Sequence, residues 1–201
     1  KTSLKDGENS IFRCYAASQE NQYPNVYIAR KYNHELILKY LKKENGYFQT
    51  YILIKESIIK HISKKINKVR IHSSGDFFSG EYLRAWLTVA RSMPQLKFYC
   101  YSKSLHLFGT NVYIPDNFYL TASMGGKRDD LIHKGYFKRY AIVVNSEDEA
   151  IKKGIEHTGK PYEIDKDDSH CFKNNPFALL IHGTQKKGLF LKQCESSLSI
   201  S

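Results

Sequence analysis

The run Arg70-Ile71-His72-Ser73-Ser74-Gly75-Asp76-Phe77-Phe78-Ser79 decides the fold. Val69 to Ser73 is short, β-branched and bounded by polar residues, which predicts a strand. The polar turn that follows carries Gly75. Ser79 then suits a helix N-cap, with Glu81 in the first turn where the helix dipole favours an acid. Tyr82, Leu83, Trp86, Leu87 and Ala90 recur at helical spacing and predict its buried stripe. A strand that stops at a polar, glycine-containing turn and leads into a helix is the unit of a parallel α/β sheet.

The unit repeats downstream. Lys97 to Tyr101 and Phe118 to Ala122 read as strands, and the apolar run Tyr140 to Val144 suits a parallel strand covered on both faces. Ser146 with Glu149 is a capping box that opens another helix. Tyr162 to Asp165 and Ala178 to Ile181 complete about six strands. Upstream, two helices are expected. In the first, Val26 to about Lys43, a face is built from Ala29, Tyr32, Leu36, Ile37, Tyr40 and Leu41. The second, about Thr50 to Asn67, uses Ile54, Ile58, Ile62 and Ile66. Residues 1–24 show no clear periodicity. The expectation is one α/β domain over residues 1–201, with a mainly parallel sheet as an incomplete (β/α) barrel or an open sheet.

Composition bounds the function. The 201 residues are 41% hydrophobic and 25% charged, as in an ordinary globular chain. No apolar run is long enough to span a membrane. No signal-peptide core is present, and the first residue is Lys1 rather than Met, so upstream residues are expected. The net charge of +11 favours polyanions such as DNA or RNA, or an anionic ligand, although a Lys-rich composition alone produces a basic chain. Four cysteines, Cys14, Cys100, Cys171 and Cys194, lack CxxC spacing, so a reducing compartment, the cytoplasm, is expected.

Four predicted strand ends carry polar or titratable groups: His72 to Asp76, Tyr101 to Ser104, Ala122 to Gly126, and His182 to Gln185. In parallel α/β folds ligands bind at that edge. Gly75 lets a backbone approach a ligand, and the helix N-terminus behind it offers free N–H groups. Asp76 is a hydrogen-bond acceptor or metal ligand, with a helix-entry cap as the alternative. His72, alternating with Ile71, shares a face with Arg70 and Ser74 and is either a ligand contact or a core histidine. Lys103 is a phosphate or carboxylate binder or a solvated surface lysine. Asp165 to Cys171 reads mostly as solvated turn, lacking the glycine of a calcium loop. Cys14, Cys171 and Cys194 either meet as metal ligands or are small buried hydrophobes.

His72 to Ser79 with Tyr82 and Trp86, then Phe98 to Ser104, resembles the gene-product-88-like phage proteins. Cys14-Tyr15-Ala16, Tyr23-Pro24-Asn25-Val26, Arg30, Thr121-Ala122-Ser123 and His182-Gly183-Thr184-Gln185 are similar to that family too. Its logic is similar to that of radical S-adenosylmethionine enzymes, where three cysteines hold a [4Fe–4S] cluster and a glycine-containing strand end binds the methionine part of the cofactor. The resemblance implies Cys14 as the last cluster cysteine and Ser74, Gly75 and Asp76 as the cofactor-contacting strand end, in a protein of the host cytoplasm. The strand-end pattern adds His72, Ser102, Ser123, His182 and Gln185 as cofactor contacts, with Asp76 and Lys103 as candidate catalytic groups. Lys1 to Arg13 holds no cysteine: either residues upstream of Lys1 supply ligands, or Cys171 and Cys194 substitute, or the cluster has been lost. The last is the favoured reading, a non-catalytic derivative that still binds a nucleoside-type or anionic ligand. The alternatives are a basic nucleic-acid-binding phage protein or a protein that inhibits a host process.

Overall fold

The computed structural model describes residues 5–63, 65–109 and 111–181. Five strands, β1 (Lys68–Arg70), β2 (Lys97–Ser102), β3 (Phe118–Ser123), β4 (Tyr140–Val144) and β5 (Phe177–Leu180), form one sheet in the order β1-β2-β3-β4-β5, all parallel. Strand order equal to chain order has a consequence. Right-handed crossovers then place their helices on one face, and the sheet curls into a half-barrel instead of a doubly wound layer.

Among the described residues six α-helices accompany the sheet: α1 (Tyr15–Gln22), α2 (Pro24–Leu41), α3 (Gly46–His61), α4 (Gly80–Ser92), α5 (Asp129–His133) and α6 (Glu147–Thr158). Three helices therefore precede the sheet, not two. α4 begins as expected: the Ser79 hydroxyl accepts from the Tyr82 amide at 3.2 Å. At α6 the Ser146 hydroxyl accepts from the Glu149 amide, and Glu149 reaches back to the amide of Asn145 rather than Ser146.

Alternation along each strand separates two environments. Phe98, Cys100, Phe118 and Leu120 face outward into a core shared with α3 and α4, where Ile54, Tyr82, Leu83, Leu87 and Val89 pack against them. Ile142, Val144 and Ala178 meet Ala150 of α6 and Tyr162 in a second cluster. On the concave side Tyr99, Tyr101, Ala141, Phe177 and Leu179 surround Cys171 and Phe172.

Several expectations need correction. Tyr162 to Asp165 is no strand; it makes a single parallel bridge, Ile164 to Ala178, at the free side of β5. A proline and the turn after Asp165 leave too little extended backbone for a ladder. β1 ends at Arg70, not Ser73. α3 stops at His61, leaving Ile66 46% exposed beyond it. In α2 the predicted face is half wrong: Leu36, Ile37, Tyr40 and Leu41 are partly covered, but Ala29 is exposed and Tyr32 is 63% exposed.

Candidate functional site

The first strand end is built by two residues in left-handed backbone. After β1 the buried Ile71 anchors the chain, and His72 (φ +60°) then turns it. Alternation breaks there, so His72 does not share a face with Arg70. Its ring enters the aromatic cluster of Phe77, Tyr82 and Trp86, and its Nε2 pairs with the Tyr82 hydroxyl at 2.8 Å. Burial holds its pKa below the usual imidazole range, partly opposed by the Asp76 charge. Gly75 (φ +83°) makes the second turn, a conformation that a side chain would strain. Ser73, Ser74 and Gly75 thereby reach the rim of a cavity.

Asp76 ties two strand ends together. Its Oδ1 accepts from the Phe77 amide and the Ser102 hydroxyl, both at 2.7 Å. Its Oδ2 accepts from the amides of Lys103 (2.6 Å) and Ser104 (3.0 Å). A carboxylate offers about four acceptor positions, and these donors use them. Lys103 turns the other way: its Nζ donates to Ser123 Oγ at 2.8 Å and to Asp6 Oδ2 at 3.1 Å. That contact, with Asn9 donating to Gly126 O at 2.8 Å, docks residues 5–13 against the ends of β2 and β3.

The loop expected to be a solvated turn is a plug. Asp165 and His170 are buried, and Cys171 is fully buried, in the hollow of the sheet. Asp168 accepts from Tyr99 (3.0 Å), Tyr101 (2.9 Å) and Arg70 (2.9 Å). The Arg70 contact joins the β1 edge to the loop that runs from the free side of β5 into that strand, so side chains close the half-barrel where strands do not. Burial and the Asp168 hydrogen bond push Tyr99 up to about 12, and burial raises Tyr101 further. Asp165 in turn faces His170 Nδ1 at 3.2 Å, while His170 Nε2 meets Glu163 at 2.7 Å. Sequence periodicity carries no signal for such a plug; the density of acids next to His170 and Cys171 was the one available hint.

Above the plug lies a cavity of about 840 Å³ at the C-terminal edge of the strands, within the range that takes a small organic ligand. Arg13, Arg70, Lys103, Ser73, Ser74 and Ser123 line it together with Asp6, Asp76, Asp165, Asp167 and Asp168, and Val143, Ile164, Leu179 and Ile181 add apolar surface. Cys14, Tyr15 and Ala16, at the start of α1, form part of its wall. The structure thus gathers His72, Ser74, Gly75, Asp76, Lys103, Ser123 and Cys14 around one space, and Ser102 lies just behind it, bonded to Asp76. His182, Gln185 and Cys194 lie outside the described residues.

Among the described residues the thiols do not assemble. Cys14 borders the cavity, whereas Cys171 is buried beneath it and Cys100 points into the outer core. Burial pushes the Cys171 thiol up, and the charges of Asp168 and Asp165 add to the shift. Among the described residues one cavity cysteine is present, which does not fit a cluster held by three thiolates. The one triad of metal-type ligands among them, Asp165, Asp168 and Cys171, has its carboxylates engaged by Arg70, two tyrosines and His170. Sequence reading missed α1, whose role as cavity wall is set by Arg30 reaching back to Ala16 O at 3.1 Å and Gln19 at 2.6 Å.

No helix among the described residues is long and apolar enough to cross a membrane. A family model described as Gene product 88 matches residues 10–200. No curated protein and no solved structure matches the chain significantly.

Proposed function

The chain belongs to the gene product 88 family of phage proteins, and on that premise we propose that its C-terminal strand edge binds a nucleoside-type ligand with an anionic or polar tail. The carrying observation is the mixed lining of the cavity. Lys103 and the hydroxyls of Ser73, Ser74 and Ser123 offer donors for the tail, aspartates lining the same space offer acceptors for hydroxyl or amino groups, and Val143, Leu179 and Ile181 offer apolar surface for a flat base. Ser73 to Gly75 supply backbone that approaches closely, as phosphate and ribose binding require. Asp76 and Lys103 act as positioning residues in this reading, because their polar atoms hold strand ends in register. The protein binds its ligand without radical chemistry, since the described thiols do not fit a cluster.

Calorimetric titration with S-adenosylmethionine, S-adenosylhomocysteine, ATP and adenosine tests the reading. At least one should bind in the micromolar range and slow alkylation of Cys14, which borders the cavity. Val143→Trp fills the apolar side and should remove that binding while the melting profile persists. Absence of heat and of Cys14 protection with every nucleoside sinks the proposal. Anaerobic iron–sulfur reconstitution that loads one cluster per chain would overturn its non-radical part.

A further inference from the structure

α2 is an 18-residue helix without a buried residue, and one flank of it carries rings that the cavity does not use. Its half-covered aliphatic positions are Val26 in the N-terminal half and Leu36, Ile37, Leu38 and Leu41 in the C-terminal half. In the N-terminal half, Arg30 makes the recorded polar contacts to α1. Beside that contact Tyr23 and Tyr27, one turn apart, are 51% and 49% exposed. His34, seven residues beyond Tyr27, stays on the same row. The His34 ring meets Phe78 edge-on at 5.1 Å. Phe78 is 42% exposed, stacks on Tyr82 at 4.8 Å, and follows Asp76 by two residues in the loop at the cavity rim. The rings therefore run from the α1–α2 corner to the cavity mouth.

The charge along this helix is one-sided. Residues 24–45 hold Arg30, Lys31, Lys39, Lys42 and Lys43 against Glu35 and Glu44. Arg30 is neutralised by Glu20, but Lys39, Lys42 and Lys43 are exposed with no carboxylate partner recorded among the described residues, and Lys31 meets Glu35 only at 3.9 Å. Tyr23, Tyr27 and His34 lie on one row, and Lys31 and Lys42 lie on the flank beside it. The row also carries Arg30, and its Leu38 and Leu41 are partly covered, so it does not present the continuous apolar face that burial in a bilayer interface needs. It suits a polyanion whose flat groups are unpaired: bases stack on the rings and phosphates meet the lysines.

We propose that this α2 flank, with Phe78, is a track for single-stranded nucleic acid. It stands on α2 and does not depend on what the cavity binds.

Fluorescence anisotropy with labelled oligothymidylate and oligouridylate of about 16 nucleotides tests it, with a duplex of equal length and phosphatidylserine vesicles alongside. One or both single strands should bind at low salt, more tightly than the duplex. Tyr27→Leu and Phe78→Leu keep apolar volume at exposed positions and should each weaken binding by about 5- to 100-fold with the salt slope unchanged. Lys31→Gln with Lys42→Gln should flatten the slope of log K against log salt by about 0.7 per charge. Far-ultraviolet circular dichroism checks that each variant is folded. No single-strand binding at low salt, equal binding to duplex, preference for vesicles, or indifference to loss of both rings would each overturn the proposal.

Discussion

Asp76 and His72 are four residues apart and act in opposite directions. Asp76 gathers donors from two strand ends, so its removal strands the part-buried amides of Lys103 and Ser104 along with the Ser102 hydroxyl. Asp76→Ala should lower stability by about 3 kcal/mol and Tm by about 10 °C, read by calorimetry. A Tm unchanged from wild type would mean that the carboxylate does not hold the strand ends. The His72 ring is largely buried, and burial holds its folded pKa below the ordinary imidazole value of about 6.5. Below that value the unfolded chain binds the proton more readily than the folded one, so stability present above it is lost as pH falls toward the folded pKa. Chemical denaturation across that window should show the loss. His72→Asn, which tolerates left-handed backbone, should flatten it; an equally steep acid limb in the variant would assign the loss to other groups. The residue types at these positions were legible in the sequence, and their geometry was not. Asp76 had the alternative of a helix cap. The positive φ of His72, which breaks strand alternation, leaves no mark in the pattern.

At the scale of elements, α4, α6 and strands β2 to β4 were readable because each satisfies a local rule: Ser79 and Ser146 cap helices, and apolar runs of strand length lie between turns. The elements that resisted reading are those whose reason lies elsewhere in the chain. α1 is short and held by Arg30 of the next helix; residues 165–172 are polar and folded by partners about 70 to 100 positions away, Tyr99, Tyr101 and Arg70. The plug offers a direct test. Asp168 accepts from all three donors, and without it the loop keeps only Asp165, His170 and its apolar anchors Cys171 and Phe172. Asp168→Ala should open residues 165–172 to limited proteolysis and allow Tyr99 to ionise below about 12. Asp168→Asn, which can still accept from one tyrosine, should fall between the two. Cleavage at the wild-type rate would show that the apolar anchors alone hold the loop.

At the scale of the molecule, the half-barrel has two sides with separate cores. β1 to β3 share their outer core with α3 and α4, whereas β4, β5 and α6 have a cluster of their own. What joins them is the β3–β4 pairing, only two residue pairs long in its register, and the plug, whose Cys171 and Phe172 touch strands from both sides. The plug converts a short ladder into a shared interior, because Asp168 ties β1 and β2 to the loop that leads into β5. One cooperative unit is the consequence. The chain has a single tryptophan, Trp86, on α4, so its fluorescence reports the β1–β3 side alone, while far-ultraviolet circular dichroism reports every helix. Urea transitions followed by the two signals should coincide in midpoint and slope. In Asp168→Ala they should separate, with ellipticity from α6 lost before the Trp86 signal moves. Non-coincident transitions in the wild-type protein would divide the chain into two folding units and remove the plug from its joining role.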